Sequence, residues 1–196
     1  MIVRTLEVGL LRTNCYVVAP EEGGDAVVID PGGGADAILA TLQELGVTAR
    51  LILLTHYHFD HVLAVPELQD ATGAPLAIHA AEAGLLARPP TLFRFVGFAA
   101  PALRADRLLH DGEDVDLGRI VLRVLHTPGH SPGGASFYLA SDGAVFSGDA
   151  LFRDGVGRTD FPGSSGALLA RSIRERLFTL PDETIVCPGH GPATTI

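Results

Sequence analysis

The stretch Thr55-His56-Tyr57-His58-Phe59-Asp60-His61 constrains this chain more than any other. It follows Leu51-Ile52-Leu53-Leu54, an apolar run whose length and lack of alternation read as a strand buried on both faces. Directly after that strand come three imidazoles and a carboxylate. Side chains two apart in extended backbone share a side, so His56 and His58 can grip one ion together. Asp60 and His61 come later, where the chain turns into a helix, and point towards a second ion. The stretch supplies two half-shells, and other parts of the chain must complete them.

Three later segments repeat the same grammar of apolar strand, small turn residues and a ligand-type side chain. Ile120 to Leu125 runs into His126-Thr127-Pro128-Gly129-His130, Ala144-Val145-Phe146 into Ser147-Gly148-Asp149, and Thr184 to Cys187 into Pro188-Gly189-His190. Glycine and proline suit a backbone that leaves a sheet sharply and passes close to a neighbour. Four strand ends on one rim would gather His56, His58, Asp60, His61, His130, Asp149 and His190. His79, His110 and His126 are read as surface or capping residues.

The pattern HxHxDH followed by a distant His, an Asp and a final His resembles the metallo-β-lactamase superfamily over nearly the whole chain. The resemblance implies that His56, His58 and His130 bind one metal and Asp60, His61 and His190 a second, with Asp149 bridging. It also implies a four-layer αββα sandwich, an α/β fold of two mixed sheets flanked by helices. Residues 1–196 are read as a single domain, since no linker or shift in composition divides them.

Composition narrows the partners. With 47% hydrophobic residues the chain is globular, and its net charge of −9 argues against nucleic acid or an anionic membrane. Cys15 and Cys187 are too few for a disulfide framework. The sequence opens on strand-like residues rather than a basic-then-apolar leader, so the expected setting is the cytoplasm.

Along the chain, Val3–Val8 and Cys15–Ala19 read as paired strands around a turn near Arg12-Thr13-Asn14. The strand Asp25–Asp30 is entered through the Glu21–Gly24 hairpin. A helix over 35–45 has Gly46 as its stop, and further helices are expected over 62–72, from His79 through Ala87, and over 171–178, begun near Ser164-Ser165. Leu76–Ile78 is another inner strand, and Asp111-Gly112 and Asp142-Gly143 read as hairpin turns. Asp30, at a strand end, either supports a ligand histidine or caps its own turn. Residues 88–104, with Phe93, Phe95 and Phe98, read as a packed helix, or as an aromatic flap over the site or a subunit contact.

Imidazole and carboxylate ligands without thiolate suit zinc, iron or manganese, and the expected cofactor is two divalent ions, zinc foremost. Such a pair lowers the pKa of a shared water towards about 7, making a hydroxide nucleophile, with Asp60 and Asp149 as the catalytic carboxylates. Two cations against two carboxylates and a hydroxide leave a site that attracts anions. Ser131 is read as structural, and neither cysteine shows a sign of activation.

The stretch Ala150 to Gly163, with the closing Pro188-Gly189-His190-Gly191-Pro192, resembles the short glyoxalase II-like proteins. That branch hydrolyses glutathione thioesters such as S-lactoylglutathione. Arg158 and Phe152 are the candidate substrate contacts, and an arginine fork suits a carboxylate. Arg158 equally suits a salt bridge to Asp160 or Asp154. Asp160 and Pro192 depart from the tyrosines of longer glyoxalases, so another acyl thioester, ester or lactone fits the same centre. Gly157-Arg158-Thr159-Asp160-Phe161 also resembles the persulfide dioxygenases, which use one iron. A metal-binding protein without catalysis is the third reading.

Overall fold

A computed structural model describes residues 1–89 and 100–196. Two six-stranded sheets form its centre. The first runs in the order β1 (Ile2–Val8), β2 (Thr13–Ala19), β3 (Asp25–Ile29), β4 (Thr48–Leu54), β5 (Leu76–His79), β6 (Arg107–Leu109). The second contains β7 (Asp114–Asp116), β8 (Val121–His126), β9 (Ala135–Leu139), β10 (Ala144–Gly148), β13 (Ile185–Pro188) and β14 (Thr194–Thr195). Its spatial order is β14-β13-β10-β9-β8-β7, and β11 (Leu151–Phe152) with β12 (Gly155–Val156) makes a separate ribbon.

Both sheets are mixed. In the first, β1-β2-β3 are antiparallel and β3 through β6 parallel. In the second, β8 and β10 each pair antiparallel to β9, and β10 is parallel to β13, so these three carriers of ligand-type residues run one way.

The alternation of side chains explains the layers. In β4, Leu51 and Leu53 point between the sheets, where Tyr16, Ile29, Phe137 and Phe146 pack, while Ile52 and Leu54 point outward. The outward set meets helices α1 (Ala35–Glu44), α3 (Val65–Thr72) and α4 (Ala83–Ala87). On the far side, Val145 and Val186 pack against Leu169, Ile173 and Leu177 of the last helical segment. The result is the αββα sandwich, and the run 51–54 is apolar throughout because both of its faces are buried. Each such side chain contributes about 1.5–3 kcal/mol on burial.

Several elements differ in detail from the sequence reading. The expected helix over 62–72 is two pieces, α2 (Phe59–Val62) and α3, because Pro66 stands at the start of α3 and cannot continue a helix from upstream. The last helix is α5 (Gly166–Ser172), whose first turn is capped by Ser165 Oγ accepting from Leu168 N, followed by one wide turn over Ile173–Leu177. The β1–β2 turn lies at residues 9–12, leaving Thr13 and Asn14 inside β2. Asp142-Gly143 does close the β9–β10 hairpin, within a loop over 140–143. Asp111-Gly112 does not close a hairpin, since it joins β6 of one sheet to β7 of the other. The segment with Phe93, Phe95 and Phe98 lies outside the described residues.

His79 caps the turn after β5, its Nδ1 accepting from Ala81 N at 3.4 Å. It is buried rather than superficial, stacked on His126 with ring centroids 4.2 Å apart. Among the described residues no helix is long and apolar enough to cross a membrane.

Candidate metal centre

All seven expected residues meet at the rim where β4, β8, β10 and β13 end. His56 and His58 lie in the loop after β4, Asp60 and His61 on α2, and His130, Asp149 and His190 in the loops after β8, β10 and β13. Ligand-type atoms of His56, His58 and His130 all lie within 4.8 Å of one another, as do those of Asp60, His61 and His190.

Asp149 stands between the two groups. Its Oδ1 is 3.5 Å from His61 Nε2, and its Oδ2 is 3.5 Å from His130 Nε2 and 3.7 Å from His190 Nε2.

The nitrogens facing inward are decided by what holds the other side of each ring. His61 Nδ1 donates to Asp30 Oδ2 at 2.9 Å, His130 Nδ1 to the Arg158 carbonyl at 2.8 Å, and His190 Nδ1 to the Leu11 carbonyl at 3.2 Å. Each of these rings therefore turns its Nε2 to the centre. His58 Nδ1 faces His130 Nε2 across 2.9 Å.

Of six buried side-chain atoms without a hydrogen-bond partner among the described residues, three lie at this centre: His56 Nε2, His61 Nε2 and Asp149 Oδ1. Buried polar atoms are seldom left so, and a cation among them would satisfy all three. Charge divides the cluster: burial opposes protonation of His61 and His190, but the neighbouring carboxylates outweigh it and raise the pKa of both rings. Burial and the neighbouring His130 and His61 push the His58 imidazolium pKa down to about 3, and burial lowers His56 too, so both rings are neutral. Burial opposes ionisation of Asp60 and Asp149, but His61 and His190 outweigh it and hold both carboxyls below their usual range. The donor set fits a divalent ion.

Asp30 performs both functions considered for it. Its Oδ1 accepts from Thr55 N at 2.8 Å and its Oδ2 from Thr55 Oγ1 at 2.6 Å, fixing the turn, while Oδ2 also holds His61. With both oxygens engaged it supports the centre rather than entering it, although it lies close to His56 and His61.

Glycine is required where loops crowd the centre. A Cβ on Gly189 would stand 2.2 Å from Asp149 Oδ1 and 2.9 Å from His61 Cε1, and one on Gly157 would stand 1.9 Å from the Asp149 carbonyl. Gly189→Ala is expected to displace Asp149 and the His61 ring and cut activity at least about 100-fold without unfolding the chain, since the collisions under 3 Å are with side chains rather than backbone. Steady-state rates beside a circular dichroism spectrum check this, and a wild-type rate contradicts it.

Strand β2 adds residues that the sequence reading passed over. Thr13 Oγ1 donates to Asp60 Oδ2 at 3.2 Å. Asn14 Nδ2 donates to the carbonyls of Pro188 and Gly191, and Tyr16 Oη to Pro188, anchoring the loop that carries His190. No local signal marks them, because the partner of Thr13 is 47 residues away and those of Asn14 and Tyr16 more than 170.

The candidate substrate contacts sit on the lip. Arg158 forms a two-pronged ion pair with Asp160, both contacts 2.7 Å, so the salt-bridge reading of its side chain holds, with Asp160 as the partner. Its guanidinium also covers the Phe161 ring at 4.2 Å, and Phe161 meets His58 edge-on at 5.3 Å. Phe152 lies 6.3 Å from the His190 ring. His110 and His126 take no part in either ligand group, and Ser131 is buried in its turn.

Residues 8–190 match the model of the metallo-beta-lactamase superfamily. The chain belongs to that superfamily. Among superfamily relatives, hydroxyacylglutathione hydrolase GloC of Haemophilus influenzae is 35% identical over 100% of this chain and 93% of its own length. The crystal structure of TTHA1623 in a di-iron-bound form is 43% identical with a TM-score of 0.86, covering 100% of this chain and 94% of that one. That of BLEG-1 B3 metallo-beta-lactamase is 39% identical with a TM-score of 0.93, covering 99% and 94%. Superfamily membership and the His/Asp cluster together support divalent-metal binding and a hydrolase activity. A di-iron relative leaves the metal's identity open.

Proposed function

We propose that this superfamily member is a binuclear metal hydrolase of acyl thioesters, with hydroxyacylglutathione, as S-lactoylglutathione, the foremost substrate and zinc the foremost metal. His56, His58 and His130 would hold one ion and Asp60, His61 and His190 the other, with Asp149 reaching both. Bound ions supply Lewis acidity there, polarising a carbonyl and bringing the pKa of water towards about 7. The observation that carries this reading is Asp149 lying between two triads with a buried oxygen unpartnered among the described residues.

The chain's own groups do the rest. Asp30 and the carbonyls of Arg158 and Leu11 hold the three rings in one tautomer, so no ring must turn over during a cycle. The ionised Asp60 and Asp149 carboxylates accept a hydrogen bond from the attacking water and orient it. Phe152 and Phe161 form an apolar lip for the acyl group, and Arg158 exchanges Asp160 for a carboxylate of the thiol carrier. The substrate is a small anion. A reducing, cytoplasmic setting belongs to the same proposal, supported by the buried free thiols Cys15 and Cys187.

The glutathione preference draws on the similarity to GloC. The dioxygenase reading has the run Gly157 to Phe161 in its favour, but the Pro188-Gly189-His190-Gly191-Pro192 ending belongs with the hydrolases. Assays with S-lactoylglutathione, glutathione persulfide and a cephalosporin test the choice. Thiol release from the first alone supports it, whereas oxygen uptake with the second or ring opening of the third as the dominant activity overturns it.

A further inference from the structure

Glu82 is a fully buried carboxylate that the roles above leave unused. It ends the short 3-10 turn Ala80–Glu82 that follows β5, outside every stretch that carries a ligand-type residue. Burying a carboxyl is costly, and burial indeed raises its pKa. What compensates is two backbone donors on two different loops. Glu82 Oε2 accepts from Tyr57 N at 2.9 Å, and Oε1 from Gly133 N at 2.6 Å.

Those donors are informatively placed. Tyr57 lies between His56 and His58, and Gly133 lies three residues beyond His130. The loops are already joined at their roots, where Ala135 N donates to the Thr55 carbonyl at 2.9 Å. Glu82 adds a second tie further along both loops. Gly133 is fitted to it, since a Cβ there would stand 2.9 Å from Glu82 N and 2.7 Å from the Ala81 Cβ.

We propose that Glu82 is a positioning residue for the first ion site, holding the His56/His58 loop and the His130 loop at the separation their three nitrogens require. It rests on the reading of that triad as an ion site, and not on the thioester. Asp60, His61 and His190 hang on Asp30, Thr13, Asn14 and the Leu11 carbonyl instead, so Glu82 acts on one site only.

The test is zinc affinity of the full chain, measured by competition with a chromophoric chelator. In a His190→Ala background, which isolates the first triad, Glu82→Gln is expected to weaken zinc binding by about 10-fold to 100-fold. Glutamine keeps the size but turns an N–H towards a backbone N–H. In a His130→Ala background, which leaves Asp60, His61 and His190, the same change is expected to leave affinity unaltered. Equal losses in both backgrounds mark a general structural defect and overturn the proposal, as does no loss in either. Should Glu82→Gln fail to fold by circular dichroism, Glu82→Asp, which keeps the charge but cannot span both donors, is expected to give the same one-sided loss. Unchanged first-triad affinity in that variant also overturns the proposal. Absence of zinc binding by the otherwise unaltered His190→Ala chain would sink the triad reading itself, a separate and recognisable result.

Discussion

Asp149→Ala is expected to lower the hydrolysis rate by about 1000-fold or more, about 4 kcal/mol of transition-state stabilisation, while the chain stays folded. The size of the effect follows from position. Asp149 is the group within reach of ring nitrogens from both triads, so its loss weakens both halves at once. The fold survives because Asp149 follows β10 at the rim, whereas the core between the sheets is built by Phe137, Phe146 and their neighbours. His58→Ala is expected to behave similarly through the first triad alone. Rates on the best thioester, with metal content and a melting curve on the same samples, check the claim. A folded variant within ten-fold of the wild-type rate contradicts the role given to Asp149.

Asp30→Ala carries the largest expected cost to stability. It leaves Thr55 N and His61 Nδ1 without their partner in a buried place, a loss of about 3 kcal/mol. For a chain of this size that is about 10 °C in melting temperature of the metal-free protein. Zinc affinity of the Asp60/His61/His190 group should fall with it, because His61 loses the partner that fixes its tautomer. Asp30 also sits at φ 50°, where asparagine is tolerated and alanine less so. Asp30→Asn therefore separates the backbone contribution from that of the carboxylate. It should retain more stability than Asp30→Ala and still bind zinc weakly in the second group. A melting temperature unchanged by Asp30→Ala would show that the buried contacts contribute little.

The metal centre was legible in the sequence because its grammar is local. Each ligand-type residue follows an apolar run, and the two faces of β4 explain why 51–54 is apolar without alternation. The helix start at Val65-Pro66 was also written there, in a proline that cannot sit inside a helix, and the split of the expected helix follows from it. Other features depend on partners far away in the chain. Nothing near Asn14 or Tyr16 announces that they hold the loop of His190, and nothing near Glu82 announces Tyr57 and Gly133. Asp111-Gly112 signals a turn correctly, but a turn signal does not say which sheet receives the next strand. Arg158 is the reverse case. Two carboxylates stood within reach in sequence, and the choice of Asp160 emerged only in three dimensions, with Arg153 beside Asp154 instead.

The most direct test of the central claim is the metal stoichiometry of the purified full chain, before and after removal of one ligand from each triad. Two divalent ions per chain are expected, with one lost in His58→Ala, one lost in His190→Ala, and both weakened in Asp149→Ala. A single ion that persists through His190→Ala, or no bound ion at all, contradicts a shared two-ion centre at this rim.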